Sequence, residues 1–279
     1  MTIAISMKVN DGIVLAADSA STIMAQTPHG VGVINIYDKA NKIFNLRKGL
    51  PIGAITWGSG SIGHASISTL VKDFRKLITL DEEWKIEINN YTIEDVANKF
   101  KKFIFDINYV NEFQSWKDKP NLGFMIVGYS SGETLAEEWK IDILNGQCKG
   151  PYLLRKREKV GITWNGEPEA ITRLYLGFGT AMPRILKESG LEDNKIDEIM
   201  QLCRTKLTVP MVTPPMPIQD AIDLAEFLVE TTVKFSKFAP GAPTVGGPIE
   251  IAAITKHEGF KWIKRKHYFD VKLNPKGDI

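Results

Sequence analysis

Hydrophobic positions are densest at the start of the chain. From Thr2 to Val9 apolar residues (Ile3, Ile5, Met7, Val9) alternate with small and polar ones, and from Ile13 to Ala17 they run without a break. Asn10-Asp11-Gly12 separates the two runs, and an Asp-Gly pair supplies the positive φ of a tight hairpin turn. The pattern predicts a β-hairpin that ends in an acid, Asp18. The polar, glycine-containing stretch from Ser19 to Ile36 reads as an extended hairpin or loop. Pro51 to Trp57 predicts a strand, and the spacing of Ile62, Ala65, Leu70, Val71, Phe74 and Leu77 predicts a helix from Ser61. A charged, exposed connection (Leu80 to Tyr91) leads to a second helix from about Thr92 to Val110. Leu122 to Tyr129 and Thr134 to Ile143 predict strands joined by the turn Ser130-Ser131-Gly132. Helices are then expected from the Thr163–Ala170 segment, over Gly190 to Leu207, and from Ile218 to about Phe235 after a proline-rich connector.

Composition narrows the class. With 279 residues, 43% hydrophobic and 24% charged, the chain can bury one large core, and no composition shift divides it. A single domain over 1–279 is expected, with a C-terminal extension from about residue 256. A net charge of +2 argues for neither nucleic acid nor an anionic membrane as obligate partner. Cys148 and Cys203 have no metal-ligand spacing and read as reduced thiols. With no signal-peptide pattern and no apolar run long enough for a span, a cytoplasmic protein is expected. His29, His64, His257 and His267 do not cluster, so no metal role is assigned to them. The basic-aromatic run Lys261 to His267 reads as an edge strand whose lysines deter edge pairing.

Candidate chemistry begins at Thr2. If Met1 is removed, one residue carries both a hydroxyl and a free α-amine. A Thr hydroxyl needs a base within hydrogen-bond reach, and the α-amine, with an ordinary pKa of about 7.7–8.0, is such a base. A nearby Lys would lower that pKa further, and an Asp beside the Lys would hold it charged and in place.

The run Thr2-Ile3-Ala4 … Asp11-Gly12-Ile13-Val14-Leu15-Ala16-Ala17-Asp18-Ser19 resembles the start of mature proteasome β-type subunits and their bacterial relatives, the N-terminal-nucleophile threonine peptidases. Asp38-Lys39-Ala40-Asn41-Lys42-Ile43-Phe44 resembles the family's Asp-Lys … Lys segment, with Lys42 as the catalytic match. Gly58-Ser59-Gly60 after an apolar strand resembles its Gly-Ala/Ser-Gly, and Gly60 would offer its N–H to an oxyanion. Asn165 falls where the family places a supporting Ser. In Thr244-Val245-Gly246-Gly247 the family's Ser falls on Val245, and its Asp falls on Ala242.

The resemblance implies an αββα four-layer sandwich and a peptidase acting through an acyl-enzyme on Thr2. Asp18, Lys42, Gly60 and Asn165 would complete the site, and no metal or organic cofactor is needed. It further implies peptide or unfolded-protein substrates, a homo-oligomeric ring and an ATP-dependent unfoldase as a possible partner. A catalytically silent ring-forming subunit, which the altered Asn165, Ala242 and Val245 would explain, and a non-peptidase amidohydrolase are the alternatives. Gly58-Ser59-Gly60-Ser61-Ile62-Gly63 also matches G-x-G-x-x-G between a strand and a helix, so a dinucleotide site built on Gly58, Gly60 and Gly63 is a more remote one.

Overall fold

The N-terminal hairpin forms the centre of the molecule. In the computed structural model, which describes residues 2–27 and 30–267, β1 (Ile3–Val9) and β2 (Gly12–Ala17) pair antiparallel with Met7 opposite Val14. Both strands are buried along their whole length. Their outer neighbours are β12 (Gly161–Gly166) beside β1, and β13 (Glu250–Thr255) with β14 (Gly259–Lys264) beside β2. A second five-stranded antiparallel sheet has the order β11-β10-β9-β6-β5, formed by β5 (Ile43–Asn45), β6 (Ile52–Gly58), β9 (Leu122–Gly128), β10 (Glu137–Leu144) and β11 (Gln147–Leu153). Two ribbons stand apart: β3 (Ser21–Thr27) with β4 (Gly30–Tyr37), and β7 (Ser61–Ile62) with β8 (Ala65–Ser66).

Period-2 alternation explains why β1 is buried on both faces. Ile3, Ile5, Met7 and Val9 share a cluster with Ala221, Ala225, Leu228 and Val229 of the long helix α7 (Ile218–Phe238). On the opposite face Ala4 joins Ile13, Leu15, Ile55, Met125 and Val127, a cluster drawn from both large sheets. A third cluster sets α1 (Ile67–Leu80) and α2 (Ile93–Lys101) against the second sheet through Phe74, Phe100 and Phe124. The rings of Phe74 and Phe100 meet edge to face, 5.0 Å between centroids, a favoured aromatic geometry.

The expected αββα four-layer sandwich does not describe this arrangement. Among the described residues the strands distribute over four antiparallel sheets rather than two. The segments 21–37 and 61–66 each pair with themselves, and the first of them leaves Ile23, Met24, Val33, Ile34 and Tyr37 exposed. The helices also depart from two plain layers. α2 passes through a π-helical stretch (Lys102–Tyr109) into α3 (Val110–Phe113), and α4 (Glu169–Ile171) continues as a π-helical turn (Thr172–Leu176). Of α5 (Met182–Glu188) no residue is buried, and α6 (Asp193–Leu207) buries Ile196 and Met200.

Other boundaries shift for local reasons. The first helix starts at Ile67, not Ser61, because Ser66 caps it by accepting from the Thr69 N–H at 3.1 Å. The 80–91 connection carries buried Trp84 and Ile86 within its charges. Thr163-Trp164-Asn165 lies in strand β12, and the helix opens only at Glu169. No described helix is long and apolar enough to cross a membrane. Met1 and His29 lie outside the described residues, as does the C-terminal segment after residue 267.

Candidate functional site

The site is assembled at the open end of the β1–β2 hairpin. Asp18 directly follows β2 and is fully buried. Its Oδ1 accepts from the Ile3 N–H at 2.9 Å and from the Lys42 ammonium at 2.6 Å. Its Oδ2 accepts from the N–H groups of Ala20 at 3.1 Å and Gly246 at 3.0 Å. One carboxylate thus ties together both ends of the hairpin, the segment before β5 and the approach to β13. Lys42 is held from the other side, its carbonyl accepting from the Thr56 N–H at 3.0 Å. Burial pushes the Lys42 ammonium below the ordinary lysine value, against the opposing pull of Asp18.

Thr2 sits beside this pair, buried and one residue before β1. Its carbonyl accepts from the Glu167 N–H at 2.7 Å. The close approach depends on Gly166, whose φ is +96° and where a Cβ would fall 1.8 Å from the Thr2 carbonyl oxygen. Only glycine meets both conditions.

A cleft of about 1180 Å³ opens over these residues, and Thr2, Lys42 and Gly60 all line it. Gly60 lies in the turn after β6, its carbonyl accepting from the Ile67 N–H at 2.9 Å. Among the described residues its own N–H donates to no protein group. Asn165 does not line the cleft; its amide reaches the Met125 Sδ at 3.8 Å, between the two large sheets.

Three features escape the sequence reading. Thr244 is buried, lines the same cleft, and its Oγ1 has no hydrogen-bond partner. It stands one position before Val245, which packs in the α7 cluster, while Ala242 is exposed. The signal was present as the one hydroxyl residue of the tetrapeptide Thr244-Val245-Gly246-Gly247. Lys266 and Glu250 form an ion pair at 2.6 Å close to Asp18, which an acid inside the apolar run Ile249 to Ile254 foreshadows. Gly166 carries no local signal, since its role depends on where Thr2 lies.

The G-x-G-x-x-G segment is not a dinucleotide loop of the parallel type. Gly58 ends β6, which pairs antiparallel with both β5 and β9, and the β7–β8 ribbon intervenes before α1. The parallel strand–helix–strand unit that such a site needs is absent among the described residues.

No family model and no curated protein matches the sequence. Solved structures do. An Anbu (Gly-1) mutant from Hyphomicrobium sp. strain MC1 matches with a TM-score of 0.51 at 16% identity, covering 98% of this chain and 90% of that one. The chain shares its fold with Anbu. The Anbu complex of Pseudomonas aeruginosa, solved as a helical assembly, matches with a TM-score of 0.49 at 12% identity, over 95% of this chain and 88% of that one. The shared fold is Anbu's, which corrects the resemblance to proteasome β-type subunits. The residues agree with the correction. Where the β-type pattern sets Ser and Asp, this chain buries Val245 in an apolar cluster, exposes Ala242 and turns Asn165 to a sulfur.

Proposed function

We propose that the chain, once Met1 is removed, hydrolyses peptide bonds with Thr2 as nucleophile. The observation that carries this reading is the buried Asp18–Lys42 pair at 2.6 Å, whose carboxylate also holds the Ile3 N–H, one residue from a Thr that faces an open cleft. A lysine ammonium next to the Thr2 amine would disfavour its protonated form and leave it free to act as base. In the first step the amine takes the proton of the Thr2 hydroxyl, and the Thr2 oxygen attacks the amide carbonyl carbon. The Gly60 N–H is free to bind the oxyanion that forms. The C–N bond then breaks, the leaving amine receives the proton, and an ester remains on Thr2. Water, deprotonated by the same amine, hydrolyses the ester and restores the hydroxyl. Thr244 acts as a positioning residue in place of the missing Ser at Val245, its unpartnered hydroxyl orienting the amine or the water between it and the substrate.

Intact-mass spectrometry before and after a peptide epoxyketone tests this reading, because that reagent needs both the hydroxyl and the free amine of an N-terminal Thr. Loss of Met1 and one adduct per chain, with neither adduct nor turnover in Thr2→Ala, is the expected result. Retained Met1 with no adduct overturns it and favours the silent subunit, to which the buried Val245 and the Met125-bound Asn165 point. Self-assembly is part of the proposal. α7 presents Phe227, Phe235 and Phe238 to solvent, the last 81% exposed, and an apolar face of this kind favours burial against another copy. Sedimentation velocity should then show a species larger than a monomer; monomer alone across concentrations refutes assembly.

A further inference from the structure

The cleft has a charge asymmetry that the cleavage chemistry does not require. Among the described residues its lining includes three lysines, Lys39, Lys42 and Lys72, and no Asp or Glu. Lys42 is neutralised from below by Asp18, and the nearby Lys266 by Glu250, each pair at 2.6 Å. Lys39 and Lys72 are exposed and form no ion pair among the described residues. The surplus positive charge therefore lies on the cleft wall, away from the reacting hydroxyl.

The acids next to these lysines in sequence do not cancel them. Asp73 faces a separate hollow, beside Lys76 and Leu77 of α1, and Asp38 does not line the cleft. The wall that carries Lys72 is the first part of α1. Ser68, Thr69 and Lys72, at helical spacings of three and four, present one face to the cleft. That first turn contains no acidic residue, so the positive end of the helix dipole adds potential of the same sign. The buried Thr244 hydroxyl, which also lines the cleft, has no hydrogen-bond partner among the described residues.

We propose that the cleft selects carboxylate-bearing peptides, with Lys39 and Lys72 as the residues that read the negative charge. The inference rests on the peptide-binding reading of this cleft but not on its catalytic competence. Field lines from the two cations converge in a concave site whose walls hold no compensating acid, which raises the local concentration of anionic segments. An acidic peptide is drawn in, a neutral one enters less readily, and a basic one is repelled. The carboxylate can come from Asp or Glu side chains or from the peptide's own C-terminus.

The test is fluorescence anisotropy on the full-length Thr2→Ala variant, which cannot turn over its ligand. Labelled peptides of one length carry Glu, Gln or Lys at the same positions, each with a free or an amidated C-terminus. The Glu peptide should bind about tenfold more tightly than the Lys peptide, with Gln between them, since each exposed charge contributes modestly. The spread should narrow as salt is raised. Adding Lys39→Glu and Lys72→Glu should reverse the order, and Lys39→Gln with Lys72→Gln should level it. If free-carboxyl peptides bind alike and their amidated partners weakly, the C-terminus is the group read; if the Glu peptide leads whether or not it is amidated, the side chains are. Equal affinity for amidated Glu and Gln peptides together with no effect of amidation, an affinity pattern indifferent to the lysine variants, or no saturable binding of the free-carboxyl Glu peptide overturns the proposal. Binding selectivity without any turnover by the unmutated chain would sink the hydrolase reading and leave this one standing, and unselective turnover would do the reverse.

Discussion

Strand β1 carries a cluster of buried charge near each end. At Ile3 it meets Asp18, whose carboxylate is satisfied by three backbone N–H groups and the Lys42 ammonium. At Ser6 and Lys8 it meets a second cluster, where fully buried Glu138 accepts from the Ser6 hydroxyl at 2.6 Å and pairs with Arg155 at 2.6 Å. There Lys8 gives its ammonium to the Arg157 carbonyl at 2.7 Å. Burial raises the Glu138 carboxyl above its ordinary range, although Arg155, Ser6 and Lys8 all act to lower it. By perturbation alone the second cluster is the better candidate for chemistry. Yet none of its residues lines the large cleft, whereas the Asp18 cluster lies directly under it. Charge burial marks both ends of the strand, and access to open space separates the end that can meet a substrate from the end that fixes the two sheets together.

The sharpest way to break this comparison is Asp18→Ala. It orphans the buried N–H groups of Ile3 and Ala20 and the half-buried one of Gly246, and it leaves the Lys42 charge unpaired; removal of one partner from a buried pair costs about 3–5 kcal/mol. Urea denaturation should show a loss of that size, and the epoxyketone adduct should disappear with it. A variant that lost the adduct at unchanged stability would mean that Asp18 serves chemistry without organising the hairpin.

Glu138→Gln should separate the two ends. It leaves Arg155 without its buried counter-charge, so the expected stability loss is about 2–3 kcal/mol. Labelling of Thr2 in the folded protein should be unaffected. Slower labelling at full occupancy of the folded state would join the two clusters into one functional unit.

Thr244→Val sharpens the same contrast from within the cleft. Its hydroxyl is buried without a partner, so an isosteric apolar replacement removes an uncompensated polar group and should leave stability equal or slightly higher. Turnover should nevertheless fall about tenfold with a shift in its pH profile, the loss expected when a group assisting proton transfer is removed. Equal turnover and an unmoved profile would assign the hydroxyl no part in the reaction.

These residues also mark how far the sequence could be read. The β1–β2 hairpin was legible because Asp-Gly and the apolar runs state it locally, and Thr2, Asp18 and Lys42 do converge in space. The helices over 67–80 and 218–238 were legible from their apolar spacing. β11 and β12 were not, because their residues are half-buried and mixed in polarity, with no clean period to detect. Asn165 was read by its place in a motif, and its side chain instead satisfies a sulfur across the sheets. Thr244 and Val245 are adjacent, yet Thr244 lines the cleft while Val245 packs in the α7 cluster. The hydroxyl that reaches the cleft is therefore the neighbour of the one that the motif names.

The smallest expected effect concerns pH, and it again divides the two ends. Lys42 in the site and Lys8 in the closed cluster both lie below the ordinary value of 10.5 because burial disfavours the ammonium, as does Lys266. Between their folded values and 10.5 the unfolded chain binds more protons, so stability rises with pH across that window. Each such group contributes at most about 1.4 kcal/mol per pH unit. Tyr91, Tyr129 and Tyr152, held at about 12, act in the opposite sense, but only above their ordinary value of 10.0. Glu138 has the opposite sign on the acid side. Its folded value is raised, so its contribution is complete below the ordinary carboxylate value of 4.5 and is lost as pH climbs through the folded value. Urea denaturation between about pH 4 and pH 10 should therefore carry a falling contribution from Glu138 on the acid side, opposed by the lowered Glu169 carboxyl, and a rising contribution from the lysines on the alkaline side, opposed above pH 9.0 by Cys148, held at about 11. Glu138→Gln should remove the fall without touching the rise, and Lys8→Met should reduce the rise while the Thr2 adduct still forms. If Lys8→Met left the alkaline slope intact and Lys42→Met abolished it, the rise would belong to the site alone, and the closed cluster would have to hold its lysine in a fully ionised state.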